Sequence, residues 1–396
     1  MAWKECGKMD EKLKFIARLL EGERMAGLCR EFGISRKTGY KLFNRYKEMG
    51  EKALVEQKRT PYRYANQLPI QVEALIIRLK KEYPHWGAPK IREKLKRRHP
   101  DVILPAISTI HAVLDRNGLV NVRKKRRRFK AEGTALEHVK SPNELWCADY
   151  KGEFMLTNRK YCYPLTITDY SSRYLIACEA LSTTRENFAF EVFIRAFKEF
   201  GLPKAIRTDN GIPFASGGSF YNLTKLSVWW MRHGINLERI KPGNPQENGR
   251  HERMHLTLKQ EATRPPRDNF MAQQEVFDKF INIYNNERPH QGIKMKYPGE
   301  LYQKSERIYK ELEPLYYPFH DKTIRVSQCG RICSDGKKVS LSRAFAGTEV
   351  GIKEMDDGIW VVSFLDYDLG YYDDISKRVE PIEDPFGQKV LPMSSV

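Results

Sequence analysis

Apolar residues recur at helical spacing in the first third of the chain. They switch between strand and helix periods in the middle and fall into short strand-length runs towards the end. Leu13, Phe15, Ile16, Leu19 and Leu20 make one helical stripe. The stretch from Met25 to Leu42 then predicts two helices joined by a short turn, with Gly33 ending the first and Ser35 capping the second. This is a helix-turn-helix pattern, and its second helix is expected to expose Arg36, Lys37, Lys41, Asn44 and Arg45. A second module of the same kind follows. Val72, Leu75, Ile76 and Leu79 form one apolar face, Trp86 to Leu95 opens another helix, and Ser108 is expected to cap a third that ends at Gly118. Thr109, His111 and Arg116 of that helix could face a ligand, whereas Trp86 reads as a core anchor.

From residue 141 the pattern becomes strands alternating with helices. Tyr161 to Thr168 and Tyr174 to Leu181 are rich in strand formers, and Thr184 is placed to cap a helix carrying Phe188, Val192, Ile194, Phe197 and Phe200. A short strand over 204–207, a helix over 226–234, a strand over 235–240 and helices over 248–262 and 273–287 complete an expected mixed α/β sheet. Beyond residue 315, five short strands separated by turns such as Asp335-Gly336 and Asp356-Asp357-Gly358 predict a small β-barrel.

These patterns divide the chain into a helical module over 1–56, a linker over 57–69 and a second helical module over 70–120. A basic linker over 121–140, an α/β core over 141–305 and a C-terminal barrel over 315–385 follow. Charge sharpens the division. Of the 69 Lys and Arg, 33 lie in residues 1–130 against 14 Asp and Glu, so the net charge of +19 sits there and the remainder is neutral. A basic half joined to a neutral half implies that the N-terminal part grips a polyanion, most naturally double-stranded DNA. The run Arg123, Lys124, Lys125, Arg126, Arg127, Arg128 and Lys130, broken by Phe129, reads as an arm along DNA phosphates.

Composition mainly excludes. A hydrophobic content of 41% supports a sizeable core. No apolar run is long enough to span a membrane, and the N-terminus has no apolar signal region. The seven cysteines are odd in number and scattered, which fits a reducing cytoplasm. Cys329 and Cys333 have no companion pair or nearby histidines, so they do not read as a zinc site.

Candidate chemistry rests on three carboxylates in distinct settings. Asp149 closes Leu145-Trp146-Cys147-Ala148-Asp149 ahead of a strand, and Asp209 ends a strand before the tight turn Asn210-Gly211. Glu252 lies on a helix in Pro245-Gln246-Glu247-Asn248-Gly249-Arg250-His251-Glu252-Arg253, with Lys259 and Asn248 on its face. Three oxygen donors gathered from distant points can hold two divalent ions, which suits phosphodiester chemistry. Asp169 is followed by Ser171-Ser172-Arg173 and reads as a turn residue, and Glu247 as a complement to its helix dipole. Asn210 and His255 are near enough in sequence to position water or DNA.

These three signatures resemble the catalytic core of the retroviral-integrase superfamily, and especially bacterial insertion-sequence transposases with that core. Tyr284-Asn285-Asn286-Glu287-Arg288-Pro289-His290-Gln291, with Pro298 beyond it, is similar to the segment that closes such cores. The resemblance implies a ribonuclease-H-like core with Asp149, Asp209 and Glu252 as catalytic and metal-binding residues. It implies two Mg²⁺ or Mn²⁺ ions, binding of element ends and target DNA, and cleavage followed by strand joining without a covalent protein–DNA intermediate. It also implies a homo-oligomer on DNA, a nucleoid-associated protein, and a C-terminal barrel. Lys259 would steady DNA beside the scissile bond. The chain departs from the family in two respects. The interval from Asp209 to Glu252 holds 42 residues, longer than usual, which fits an insertion over 215–230. The retroviral zinc-binding N-terminal domain is also replaced by helix-turn-helix modules. Intact carboxylates argue against a catalytically silent DNA-binding regulator, and two recognition modules against a ribonuclease-H-type nuclease without strand transfer.

Overall fold

The structure, a computed structural model, describes residues 8–55, 68–120, 139–216, 219–240, 248–334, 336–373 and 378–382. The chain divides into two compact units, Met1–Pro69 and Ile70–Val396. The Glu247 reading and the basic run from Arg123 to Lys130 lie outside the described residues.

In the first unit, α1 (Lys8–Leu20), α2 (Met25–Glu31) and α3 (Arg36–Met49) close around Phe15, Ile16, Leu28, Cys29, Ile34 and Leu42. Gly33, at φ 64°, makes the turn, and the Ser35 hydroxyl accepts from Thr38 N at 3.1 Å to cap α3. Leu13 and Leu20 of the expected stripe are exposed, because the buried face of α1 runs through Phe15 and Ile16.

The second unit opens with α4 (Ile70–Glu82), α5 (Ala88–Arg98) and α6 (Ile107–Arg116). Trp86 is 1% exposed and stacks on Tyr83 with ring centroids 3.9 Å apart, as a core anchor should. The cap of α6 is Ala106 rather than Ser108, which falls inside the first turn.

A mixed sheet follows, with β1 (Leu145–Tyr150), β2 (Phe154–Met155), β3 (Tyr161–Asp169), β4 (Leu175–Leu181), β5 (Ala205–Thr208) and β6 (Asn236–Arg239). Its central order is β4-β3-β1-β5-β6; β3 runs antiparallel to β1 and β4, while β1, β5 and β6 are parallel. This is the strand order of a ribonuclease-H-like core. One face carries α7 (Glu186–Phe200) and α8 (Lys225–Arg232), with Phe193 and Phe197 of α7 packed over Trp146, Ala148, Leu165 and Ile167. The other carries α9 (Gly249–Glu261) and α10 (Phe270–Asn286) over Cys162, Leu175 and Cys178. The cap of α7 is Arg185, not Thr184, and the buried stripe of that helix takes in Ala189 and Phe193 while Phe188 stays exposed. A short α11 (Pro298–Leu301) ends the core.

The expected C-terminal barrel is not what the described strands form. β7 (Lys322–Arg325), β10 (Glu349–Asp356), β11 (Ile359–Phe364), β12 (Tyr367–Asp373) and β13 (Glu380–Pro381) make an open sheet in the order β13-β12-β11-β10-β7. β8 (Arg331–Ser334) and β9 (Lys337–Ser340) pair separately as a hairpin. Its two edges do not meet; β13 is two residues long, and its Pro381 has no N–H to extend a ladder. The hairpin and sheet share a core through Ile332, Val339, Val350, Val362 and Phe364, and this core packs on Leu223, Val228 and Met231. The long Asp209–Glu252 interval therefore supplies the surface on which the C-terminal sheet rests.

Candidate active site

Strand alternation sorts the side chains of β1. Trp146 and Ala148 point into the α7 core, so Cys147 and Asp149 face α9. Asp149 pairs with Thr166 of β3, and Thr166 and Thr168 share the α9 side because Leu165 and Ile167 go to the other. β5 runs parallel beside β1, with Cys147 level with Arg207. Two residues further in that register, Asp149 comes level with Asp209, one residue past the end of β5.

The turn after β5 holds the Asp209 carboxylate close. Gly211 N donates to Asp209 Oδ1 at 3.1 Å, and the Asn210 amide donates to Ile240 O at 2.8 Å, tying the turn to the end of β6. A Cβ at Gly211 would lie 2.9 Å from Asp209 Oδ2, so a larger residue there would push the Asp209 carboxylate aside.

Helix α9 has two distinct faces. His251, Met254, His255 and Leu258 recur at helical spacing and are buried, while Glu252, Arg253, Leu256 and Lys259 are exposed. Arg250 fixes the start of the helix, donating to Tyr170 O at 3.0 Å and stacking over the Tyr170 ring. Asn248, expected on the face of Glu252, is instead 3% exposed at the helix N-terminus.

A polar network binds this helix to the sheet. Thr166 Oγ1 lies 3.0 Å from Asp149 O, 2.8 Å from His251 Nε2 and 2.7 Å from His255 Nε2, and Thr168 Oγ1 lies 2.7 Å from His251 Nδ1. A carbonyl cannot donate, so the Thr166 proton goes to Asp149 O and both Nε2 atoms must donate to Thr166. Burial pushes His251 down to about 3; burial, then His251 and Lys151, push His255 down to about 2, so both rings are neutral. Each Nδ1 is then an acceptor. That of His251 takes the Thr168 hydroxyl, and that of His255 presents a lone pair 3.8 Å from Asp149 Oδ2.

Electrostatics tie the three carboxylates together. Burial, then the charge of Asp209, and further that of Glu252, raise the Asp149 carboxyl to about 7. Burial also raises Asp209, opposed by the Gly211 N–H. Among the described residues none of the three is in a salt bridge with Lys or Arg. Lys259 reaches the site indirectly: its charge acts on half-buried Lys151, which in turn acts on Asp149. Carboxylates without a Lys or Arg partner are hard oxygen donors, the chemistry that suits a divalent ion such as Mg²⁺ or Mn²⁺. Among the described residues, the metal-type donor atoms found within 4.8 Å of one another are those of Asp149, His251 and His255, not those of the three carboxylates. That grouping is a hydrogen-bonded network first, because both nitrogens of His251 are engaged with threonine hydroxyls.

Asp169 is 1% exposed, and its carboxylate accepts from Asn143 N, Ser172 N and Ser172 Oγ, so it organises a turn. In the helical modules Arg36, Lys37, Lys41, Asn44 and Thr109 are exposed. Arg45 is not: it is half-buried, with one Nη enclosed and unbonded. Arg116 is engaged with Glu73. The sequence reading gave no role at the site to Thr166, Thr168 or Lys151, while Gly211 entered it through the tight turn after Asp209; the i, i+4 histidines of α9 were the signal for the network.

Family models match the same regions. The Integrase core domain model matches residues 139–245 and a second model of that description residues 233–298. A Homeodomain-like domain matches 38–114 and a Helix-turn-helix domain 11–62. Residues 139–298 thus match an integrase core, and residues 11–114 match helix-turn-helix domains ahead of it. The chain is also similar to proteins of insertion elements. It is 26% identical over 182 residues to an uncharacterized 31.7 kDa protein of insertion element IS407 from Burkholderia multivorans, across 44% of this chain and 63% of that one. It is 24% identical over 222 residues to an uncharacterized 39.2 kDa protein of insertion element IS476 from Xanthomonas euvesicatoria, across 55% and 61%. The chain thus spans less than two thirds of either relative. Among solved structures, the catalytic core of HTLV-2 integrase in complex with magnesium aligns at 15% identity, over 41% of this chain and 98% of that one, with a TM-score of 0.32.

Proposed function

We propose that this chain is a DNA transposase whose helix-turn-helix modules bind the terminal inverted repeats of its element. Its core would cleave the element end and join it to target DNA. Asp149, Asp209 and Glu252 are the catalytic carboxylates and would hold two divalent ions, Mg²⁺ or Mn²⁺. The observation that carries this is that the parallel register of β1 and β5 brings Asp149 level with Asp209 beside the helix that bears Glu252, with no Lys or Arg paired to any of the three among the described residues. What such ions supply when bound is activation of the attacking oxygen and neutralisation of the leaving one.

The protein residues do the rest. Thr166 holds the Asp149 backbone, and Gly211 lets Asp209 fold over its turn. His255 Nδ1, 3.8 Å from Asp149 Oδ2, would orient the Asp149 carboxylate. Lys259 steadies the DNA strand. In cleavage, water attacks the phosphorus and the bond to the 3′ oxygen of the element end breaks, leaving a 3′-hydroxyl. In joining, that hydroxyl attacks a target phosphodiester and displaces a target 3′ oxygen. Two ends must be joined, so the working form on DNA is a dimer or higher assembly, acting at the nucleoid. The domain divisions at 57–69 and 121–140 would then separate the first recognition module from the second, and the second from the catalytic core. The test is cleavage of a duplex carrying the inverted repeats that flank this reading frame. With Mg²⁺ the wild type is expected to nick at the element end, and Asp149→Asn to bind the duplex without nicking. Cleavage by the variant would refute the assignment.

A further inference from the structure

Between α5 and α9 lies a cavity of about 350 Å³ that the proposed chemistry does not use. Lys80, Lys90 and His111 line it from the α4–α6 side, and Arg253, Gln260 and Arg288 from the core. Lys80 donates to the carbonyls of Pro84 and Trp86 at 2.6 and 2.9 Å, and buried Arg288 is paired with Glu261. Half-buried Lys90 and exposed Arg253 have no hydrogen bond or ion pair from their charged ends among the described residues. Burial, then the charges of Arg288 and Arg253, push the Lys90 amine down to about 7, against the weaker pull of Glu261. Among the described residues, the Arg253 guanidinium and the Lys90 amine thus stand in the cavity wall without a carboxylate partner.

Its neighbours say what anion it suits. The one large aromatic in its wall, Trp86, is 1% exposed and already stacked on Tyr83, so no face is offered to a base. Arg253 directly follows Glu252 on the exposed face of α9. The two walls are clamped together, because Glu287 at the end of α10 accepts from Lys94 Nζ at 2.9 Å and from Tyr83 Oη at 2.5 Å. A phosphate in this cavity would be gripped by the second helical module and the catalytic helix at once. We infer that the cavity binds a backbone phosphate of the DNA the chain acts on, setting that strand's register against the three carboxylates. This rests on the DNA-processing reading above.

The test uses the full chain, a mixed-sequence duplex and, separately, inorganic phosphate at constant ionic strength. Lys90→Met is expected to lower the slope of log affinity against log salt by about 0.9, the value of one phosphate contact. Phosphate is expected to raise the melting temperature of the wild type and not that of Lys90→Met. Lys90→Gln repeats both measurements should the methionine variant fail to fold, and Lys198→Met, an exposed cation on α7, should behave as wild type. An unchanged slope with no phosphate response in the wild type overturns the inference and leaves DNA binding standing. Phosphate stabilisation without any duplex binding overturns the DNA reading and reduces the cavity to a free-anion site.

Discussion

Asp149 sits where its own charge opposes folding. Its carboxyl is raised to about 7 by burial and by two like charges, so the ionised form is costly until a cation arrives. Asp149→Asn should therefore melt several degrees above wild type in metal-free buffer, and Mg²⁺ should stabilise the wild type but not the variant. A variant less stable without metal would show that Asp149 serves the fold rather than an ion. Thr166 is the structural counterpart. Thr166→Val leaves two buried imidazole N–H groups and the Asp149 carbonyl without their partner, and urea unfolding should register a loss of about 3 kcal/mol. A loss of only about 0.5 kcal/mol, the scale of an ordinary surface change, would contradict the assigned tautomers. At Gly211 a methyl group would press on the Asp209 carboxylate. Gly211→Ala should weaken Mg²⁺-induced stabilisation by about tenfold in midpoint concentration, the low end of what disturbing a ligand's support costs. Its metal-free melting should stay near that of wild type.

The elements differ in how openly the sequence announces them. β3 and β4 are buried on both faces and are rich in strand formers, and the apolar spacing of α7, α8 and α10 follows from burial on one face, so those spans could be read. The cap was read one residue early at Thr184 and two residues late at Ser108, because a hydroxyl near a helix start competes with backbone geometry that only the folded turn decides. The inner face of α9 was hidden for another reason: its histidines are satisfied by threonines more than eighty residues away in sequence. The segment from Tyr284 to Gln291 proves to be a clamp. The Asn285 side chain accepts from Leu175 N at 2.8 Å and donates to Leu175 O at 2.9 Å, Arg288 pairs with Glu261, and Glu287 holds α4 and α5. Glu287→Ala strands the buried Lys94 amine and should cost about 2 kcal/mol in urea unfolding. Glu287→Gln, which keeps an acceptor, should recover part of it, and equal losses in both would contradict this role.

At the scale of the whole molecule, charge was the most legible feature, since an excess of cations in residues 1–130 needs no structure to be seen. The C-terminal architecture was not: short alternating strands look alike whether a sheet closes or stays open, and the difference lies in which edges pair. The long interval before Glu252 gained its explanation only from the packing of Leu223, Val228 and Met231 against the C-terminal core. Exposed cations on α3 should carry part of the DNA affinity, so Lys37→Ala with Lys41→Ala should lower the salt slope by about 2 for a duplex bearing the element's repeats. An unchanged slope would move recognition elsewhere in the chain. The most direct test of the central claim is strand transfer itself: a labelled, pre-nicked element end, a target plasmid and Mg²⁺. The account predicts joining by the wild type and none by Asp149→Asn, Asp209→Asn or Glu252→Gln, with duplex binding intact in all three. Joining by any of these variants, or a wild type that binds the end but never joins it, would contradict it.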